Sequence, residues 1–207
     1  VGPPRNASAI PWLLGALLLQ SSLPASAAAS QAGPEAAVQR LQQGLLELDR
    51  SAPDASPAQR YQRLDPLIRS THDLDYMARL ALGPEWELLD QAQRAQFTDL
   101  FARLGIASYA ERFRGLAGER FSATSERELR GGRVEVRSAL QSADGSSVAF
   151  VYVLHQPPGQ GWRIINILAE GVSELALQRA EYRRVLADRG WDGLLQHMRD
   201  KSDLVDS

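Results

Sequence analysis

The sequence predicts an α+β fold in which helices come first, an antiparallel meander of four strands follows, and two helices close the chain. Three observations predict it. Apolar residues recur at spacings of three and four from Ala37 to Tyr109, the period changes to two after Gly118, and short Gly- and Pro-containing turns separate the strand-like segments. Strands joined that tightly run antiparallel, because a parallel crossover needs a dozen or so residues.

From Gln31 to Arg50, Ala37, Leu41, Leu45 and Leu48 share one face of an amphipathic helix. The linker "SAPDASPAQ", with two prolines and two serines suited to capping, ends it and starts the next helix near Pro57, which carries Tyr61, Leu64, Leu67 and Ile68. In "STHDLDYMARLALGP" an N-cap at Ser70, Thr71 or Asp73 precedes a third helix with Leu74, Met77, Leu80 and Ala81 on one face, stopped by Gly83-Pro84. Asp90 caps the longest helix, where Phe97, Leu100, Phe101, Leu104, Ser108 and Tyr109 form one stripe, with Phe113 beyond it. Such a stripe serves equally as plain core or as the wall of a hydrophobic cavity.

The predicted strands are "ERFSATSEREL", "RVEVRSALQS", "SVAFVYVLHQ" and "WRIINILAE", bounded by Gly131-Gly132, Asp144-Gly145 and "PPGQG". The last two are apolar on both faces, as in a sheet covered on each side: Trp162, Ile164 and Leu168 alternate with Arg163, Ile165 and Ile167. Helices are expected from Val172 to about Asp188 and, after a stop at Gly190, from Trp191 to about Lys201.

The 207 residues fit one domain. A net charge of -2 offers no broad attraction to nucleic acid, and no nucleic-acid partner is expected. Zero cysteines exclude disulfides, thiol nucleophiles and Cys-based metal sites. At the start, Arg5, the apolar stretch Ile10 to Leu19, Pro24 and the small residues Ala25-Ser26-Ala27 have the layout of an export signal. The predicted division is therefore a signal peptide over 1–29, cleaved after Ala27 or Ala29, one domain over 30–201 and a frayed tail over 202–207.

The residues of chemistry are scattered. His72, His155 and His197 belong to no metal-ligand spacing, and neither a nucleophile elbow nor a phosphate-binding loop is present. "STHD" has the residue types of a triad, but residues this close at a helix start serve better as a cap. His155 is expected to meet solvent at a strand end. Glu170 and Glu174 are expected to face solvent at a helix start, with Gly171 as the corner.

The segment "AEGVSELALQRAEYRRVLADRGWDGLLQHM", Ala169 to Met198, resembles the C-terminal signature of the MlaC-type periplasmic phospholipid-binding proteins, the toluene-tolerance auxiliary family. The matching features are Glu170, the Gly171 to Ser173 helix opening, Tyr182 and Gly190 to Leu194. "LGPEWELLDQAQRAQFTDLFARLGIASYAERF" resembles the family's helix pair, so the likeness spans Val38 to Met198. "ASYAERFRGLAGERF" and "VSELALQRAEY" look closer to the HpnM-like, hopanoid-associated branch, while Ala169 to Val172 looks more like the general carriers.

The resemblance implies helices packed on a curved antiparallel four-stranded meander that encloses an apolar cavity. It implies a non-enzymatic, monomeric periplasmic carrier without cofactor, whose cargo is phospholipid or hopanoid. The implied partners are an inner-membrane ABC transporter with an MCE-domain ring and an outer-membrane lipoprotein complex. The lipid-binding candidates are Met77, Leu80, Phe97, Phe101, Leu104, Tyr109, Val136, Phe150, Tyr152, Ile164 and Leu168, a mixture of cavity lining and core. Two other readings stand beside this one. A small isomerase or hydratase would use His155 or Glu170 as base with Tyr109 or Tyr152 as polarising donor. An envelope adaptor would have a filled interior.

Overall fold

The structure, a computed structural model, describes residues 33–116 and 118–205; the expected signal peptide and cleavage site lie outside the described residues, as do the last two residues of the tail. The elements in order are α1 (Pro34–Ser51), α2 (Pro57–Thr71), α3 (Leu74–Leu82), a 3-10 turn (Gly83–Leu88), α4 (Gln91–Arg112), β1 (Arg120–Phe121), β2 (Ser125–Leu129), β3 (Arg133–Gln141), β4 (Ser147–His155), β5 (Arg163–Ala169), β6 (Val172–Ser173) and α5 (Glu174–Val205).

Local chemistry sets the helix boundaries. Ser56 and Asp90 each form a capping box, with Gln59 and Gln93 respectively, and Asp73 caps α3 by accepting from the Tyr76 amide. Gly190, at φ 67°, breaks α5 where the sequence places a stop, so the element consists of two helical segments. The second runs to Val205, into the segment expected to fray.

The sheet is antiparallel throughout, in the order β1-β3-β4-β5-β6, with β2 also on β3. Six strands replace the expected four for two reasons. The first predicted strand lies along one edge of β3 in two pieces, interrupted where the Ser122 hydroxyl takes over the ladder and accepts from the Ala139 amide at 2.8 Å. The Glu170-Gly171 turn, with φ values of 50° and 78°, then sends Val172–Ser173 back along β5 as β6 before the helix starts at Glu174.

A β-bulge in β5 changes which side chains face the helices. Leu154 pairs with Ile164, yet its neighbour Val153 pairs with Asn166, so Ile165 is the extra residue. Past it, Ile167 and Ala169 pair with the inward-facing Tyr152 and Phe150, and Leu168 pairs with Val151 on the outer face. The simple alternation expected from Trp162 to Leu168 is thus reversed after the bulge. Nor is the sheet covered equally on both sides: Phe150, Tyr152 and Leu154 are buried, while Val151, Val153 and Leu168 are only half-buried. On the outer face Glu135 sits between Arg127 and Arg137, at 2.9 and 2.6 Å, opposite Val153. Long arginine stems can shield apolar surface while their charged ends stay in water, so a second layer is unnecessary.

Two apolar clusters result. One joins α1, α2 and the end of α4 to the inner face of the sheet through Leu41, Leu45, Leu64, Ile68, Ile106, Val136, Tyr152 and Ile164. The other joins α3, the start of α4 and α5 through Ala78, Phe97, Phe101, Tyr182, Leu194 and Met198.

Candidate functional site

A cavity of about 380 Å³ opens between the inner face of the sheet and the helices. Helices α1 and α2 supply Leu41, Leu45 and Ile68, α3 supplies Leu74 and Met77, and α4 supplies Phe101, Gly105, Ser108 and Tyr109. The strands add Leu140, Phe150, Tyr152, Ile167 and Ala169, and the α4–β1 loop adds Phe113 and Leu116. The walls are predominantly apolar, and the volume falls in the range of ~300–1,000 Å³ usual for small-molecule sites. Stacked and tilted rings of Tyr109, Phe113, Phe150 and Tyr152 run continuously along one side, with successive centroids 5.5 to 6.2 Å apart. Gly105 widens the space: a Cβ there would meet nothing within 4 Å.

Three polar side chains in these walls, His72, Tyr109 and Tyr152, are hydrogen-bonded within the protein. The His72 Nδ1 lies 3.2 Å from the Ile68 carbonyl, which can only accept, so Nδ1 carries the proton and Nε2 accepts from the Tyr109 hydroxyl at 3.0 Å. Burial lowers the His72 pKa to about 4, which keeps the ring neutral at pH 7. Burial also pushes the Tyr109 phenol well above its usual range and Tyr152 up to about 12. Tyr152 accepts a long hydrogen bond, 3.4 Å, from the buried Gln42 amide. Neutral and hydrogen-bonded, these groups do not oppose apolar contents of the cavity as a buried charge would.

Charge gathers at the rim. Arg112, the last residue of α4, donates two hydrogen bonds of 2.8 and 3.2 Å to Glu174, the first residue of α5. Both side chains line the cavity opening, and both remain substantially exposed, at 60% and 44%. An exposed pair of this kind is worth about 0.2–1 kcal/mol. Arg114, Val148 and Val172 complete the exposed part of the rim. Glu119, on the same lining, accepts from the Ser142 hydroxyl at 2.9 Å through one oxygen; its other oxygen is buried without a hydrogen-bond partner among the described residues.

The loop that carries Phe113, Arg114 and Leu116 is held from beneath. Arg60, 1% exposed, donates to the Ala110 carbonyl at 3.1 Å and to the Phe113 carbonyl, and it faces Asp49 at 3.4 Å. Asp49 in turn accepts from the Gly115 amide at 2.9 Å. A buried guanidinium therefore satisfies carbonyls at the end of α4, and its counter-ion anchors the loop that follows.

The candidates divide between the cavity and the solid core. Met77, Phe101, Tyr109, Phe150 and Tyr152 line the cavity. Phe97 is fully buried among Trp86, Phe101, Tyr182 and Trp191, and Leu80 and Leu104 pack against the same helical cluster. Val136 and Ile164 are buried in the sheet-side core, and Leu168 lies on the outer face because of the bulge. Sequence reasoning gave no lining role to His72, Gly105 or the Arg112–Glu174 pair. Periodicity had already marked Leu41, Leu45 and Ile68 as apolar, but not as cavity walls.

Two expectations about polar residues change. His155 does not simply meet solvent: its Nε2 lies 2.8 Å from the second carboxylate oxygen of the α3 cap Asp73, and its ring lies 4.6 Å from that of Tyr76. Glu170 is not at a helix start but at the tip of the β5–β6 turn, where its carboxylate accepts from the Ala149 amide and its own amide donates to the Ala149 carbonyl at 2.9 Å. Glu174 does open α5 with its carboxylate exposed, as expected, and it stands at the cavity rim. The groups suggested for acid–base chemistry are therefore not assembled with Tyr109 or Tyr152. Among the described residues no cluster could hold a metal ion, and no helix is long and apolar enough to cross a membrane.

Comparison with known proteins agrees with this architecture. The family model described as MlaC protein matches residues 35–200. Among solved structures, a phospholipid-binding protein from Ralstonia solanacearum, determined in complex with a phospholipid, superposes with a TM-score of 0.76 at 22% identity, covering 85% of this chain and 100% of that one. At that identity the likeness shows a shared fold. No curated protein matches the chain by sequence.

Proposed function

This chain belongs to the MlaC family, and on that premise we propose that it is an exported carrier that encloses lipid acyl chains in the cavity and ferries them through the periplasm. The observation that carries the reading is the 380 Å³ space itself, walled by aliphatic and aromatic side chains and open at a charged rim. Each methylene withdrawn from water contributes about 0.8 kcal/mol, so a carrier gains most by surrounding the chains and leaving the headgroup at the mouth. The phospholipid held by the Ralstonia solanacearum protein of the same fold supports phospholipid as cargo; a hopanoid is the alternative within the same reading. The carrier is a monomer and performs no covalent chemistry. It receives and delivers lipid at an outer-membrane lipoprotein complex and an inner-membrane ABC transporter with an MCE-domain ring, after removal of residues 1–29.

Met77, Phe101, Tyr109, Phe150 and Tyr152 are the contacts for the chains, with Leu80, Phe97, Leu104, Val136, Ile164 and Leu168 serving the surrounding structure. The test is native mass spectrometry of purified protein followed by lipid extraction. A mass excess that resolves into phospholipid or hopanoid is expected, and Phe150→Asp should abolish it. Protein that arrives empty and takes up neither lipid from vesicles would overturn the proposal.

A further inference from the structure

The rim pair combines three properties. Arg112 and Glu174 stand on different elements, the end of α4 and the start of α5, and meet across the cavity opening. Their contact is a two-point hydrogen bond between a guanidinium and a carboxylate, a geometry that a phosphate monoanion satisfies equally well. Both side chains remain exposed, so the pair contributes little to stability and can open at little cost. We propose that Arg112 is the subsite for the phosphate of a lipid headgroup, and that Glu174 is an internal stand-in for that phosphate, displaced from the guanidinium when lipid loads.

This inference rests on the carrier reading and adds selectivity to it. Acyl chains in the cavity bring the phosphate to the opening, where Arg112 and the neighbouring Arg114 both stand. Arg114 is held by Glu111 at 3.1 Å, a contact within three residues of chain, so it does not bridge the opening as Arg112 does. The incoming anion also takes a place beside the start of α5, where negative charge is favoured by the helix dipole. Loading would exchange one ion pair for another and release the two hydrogen bonds that join Arg112 to Glu174 across the mouth. Selection is then for lipids with an anionic phosphate over neutral lipids with identical chains.

The experiment compares wild-type protein with Arg112→Gln, Arg112→Lys and Glu174→Gln for uptake of phosphatidylglycerol and of diacylglycerol with the same chains, each from neutral vesicles. Wild type should prefer the phospholipid on the order of ten-fold, as for loss of a charge-assisted bidentate contact. Arg112→Gln should erase that preference, Arg112→Lys should retain part of it, and Glu174→Gln should increase phospholipid uptake, with diacylglycerol uptake unchanged in all three. Equal loss of both lipids in Arg112→Gln, or reduced phospholipid uptake in Glu174→Gln, would overturn the inference. Saturable binding of glycerol 3-phosphate to lipid-free wild type, lost in Arg112→Gln without any lipid preference, would assign the site to free phosphate instead. Wild type that loads either lipid without preference counts against the subsite alone, whereas wild type that loads neither counts against the carrier reading.

Discussion

The two ends of α4 have similar aromatic content and opposite surroundings. At its start, Phe97 is 0% exposed and meets the rings of Trp86, Phe101, Tyr182 and Trp191. At its end, Tyr109 stacks on Phe113 but keeps accessible surface along the cavity. The difference lies in what faces the helix. At the start, α3 and both segments of α5 supply side chains that interdigitate with it. At the end the sheet stands opposite, and Gly105 and Ser108 leave the gap between helix and strands unfilled. An apolar stripe records that a helix face is withdrawn from water; the partner surface decides whether it is packed solid or lines a hollow.

The largest effect expected on this contrast is from Phe97→Ala, which should cost about 3–5 kcal/mol in urea unfolding, because a close-packed site collapses poorly around a deleted ring. Lipid uptake per folded molecule should be unchanged; a loss of uptake at full folding would erase the distinction between the two ends. Next in size is a pH effect at the cavity. His72 titrates near pH 4 in the folded protein and near 6.5 when unfolded. Between those values only the unfolded chain takes up the proton, so stability should fall by about 3 kcal/mol as pH drops from 6.5 through 4. Denaturation midpoints across that range should show this fall in wild type, and much less of it in His72→Gln.

Phe150→Ala should cost about 2 kcal/mol, less than Phe97→Ala, because part of its ring borders space that is already open. Equal costs at the two positions would show that the cavity is closed in solution. The smallest effect is a gain. Gly105→Ala should stabilise by about 0.5–1 kcal/mol, since a helical glycine gives way to alanine where a Cβ meets nothing. Thermal unfolding checks this. Gly105→Phe, which places a ring in the cavity, should then block lipid uptake while the protein remains folded.

Much of the fold was legible because local rules decided it. The capping residues Ser56, Asp73 and Asp90, the break at Gly190 and the change of period after Gly118 all act over a few residues, and the structure uses each of them. Where the sequence pattern misled, a non-local choice intervened. The bulge at Ile165 moved Leu168 outward and Ile167 inward, and nothing in "RIINILA" distinguishes the extra residue from its neighbours. Arg60 has no local signal that sets it apart from the other polar residues of α2, yet it is buried because carbonyls at the end of α4 and the Asp49 carboxylate converge on it from elsewhere in the chain. His155 and Asp73, 82 residues apart, meet only after the sheet has been laid against α3.

By itself, then, the sequence determined the class of fold, the order of its main elements and most of the apolar residues withdrawn from water, since periodicity and capping are properties of short segments; the likeness to the family came from its motifs. Only the tertiary structure decided which of those residues face a cavity and which fill a core, and which charges stand at the opening. Burial is a property of one face, but a hollow is a property of the distance between two faces, set here by the curvature of the sheet, a single bulge and the small side chains of α4 opposite.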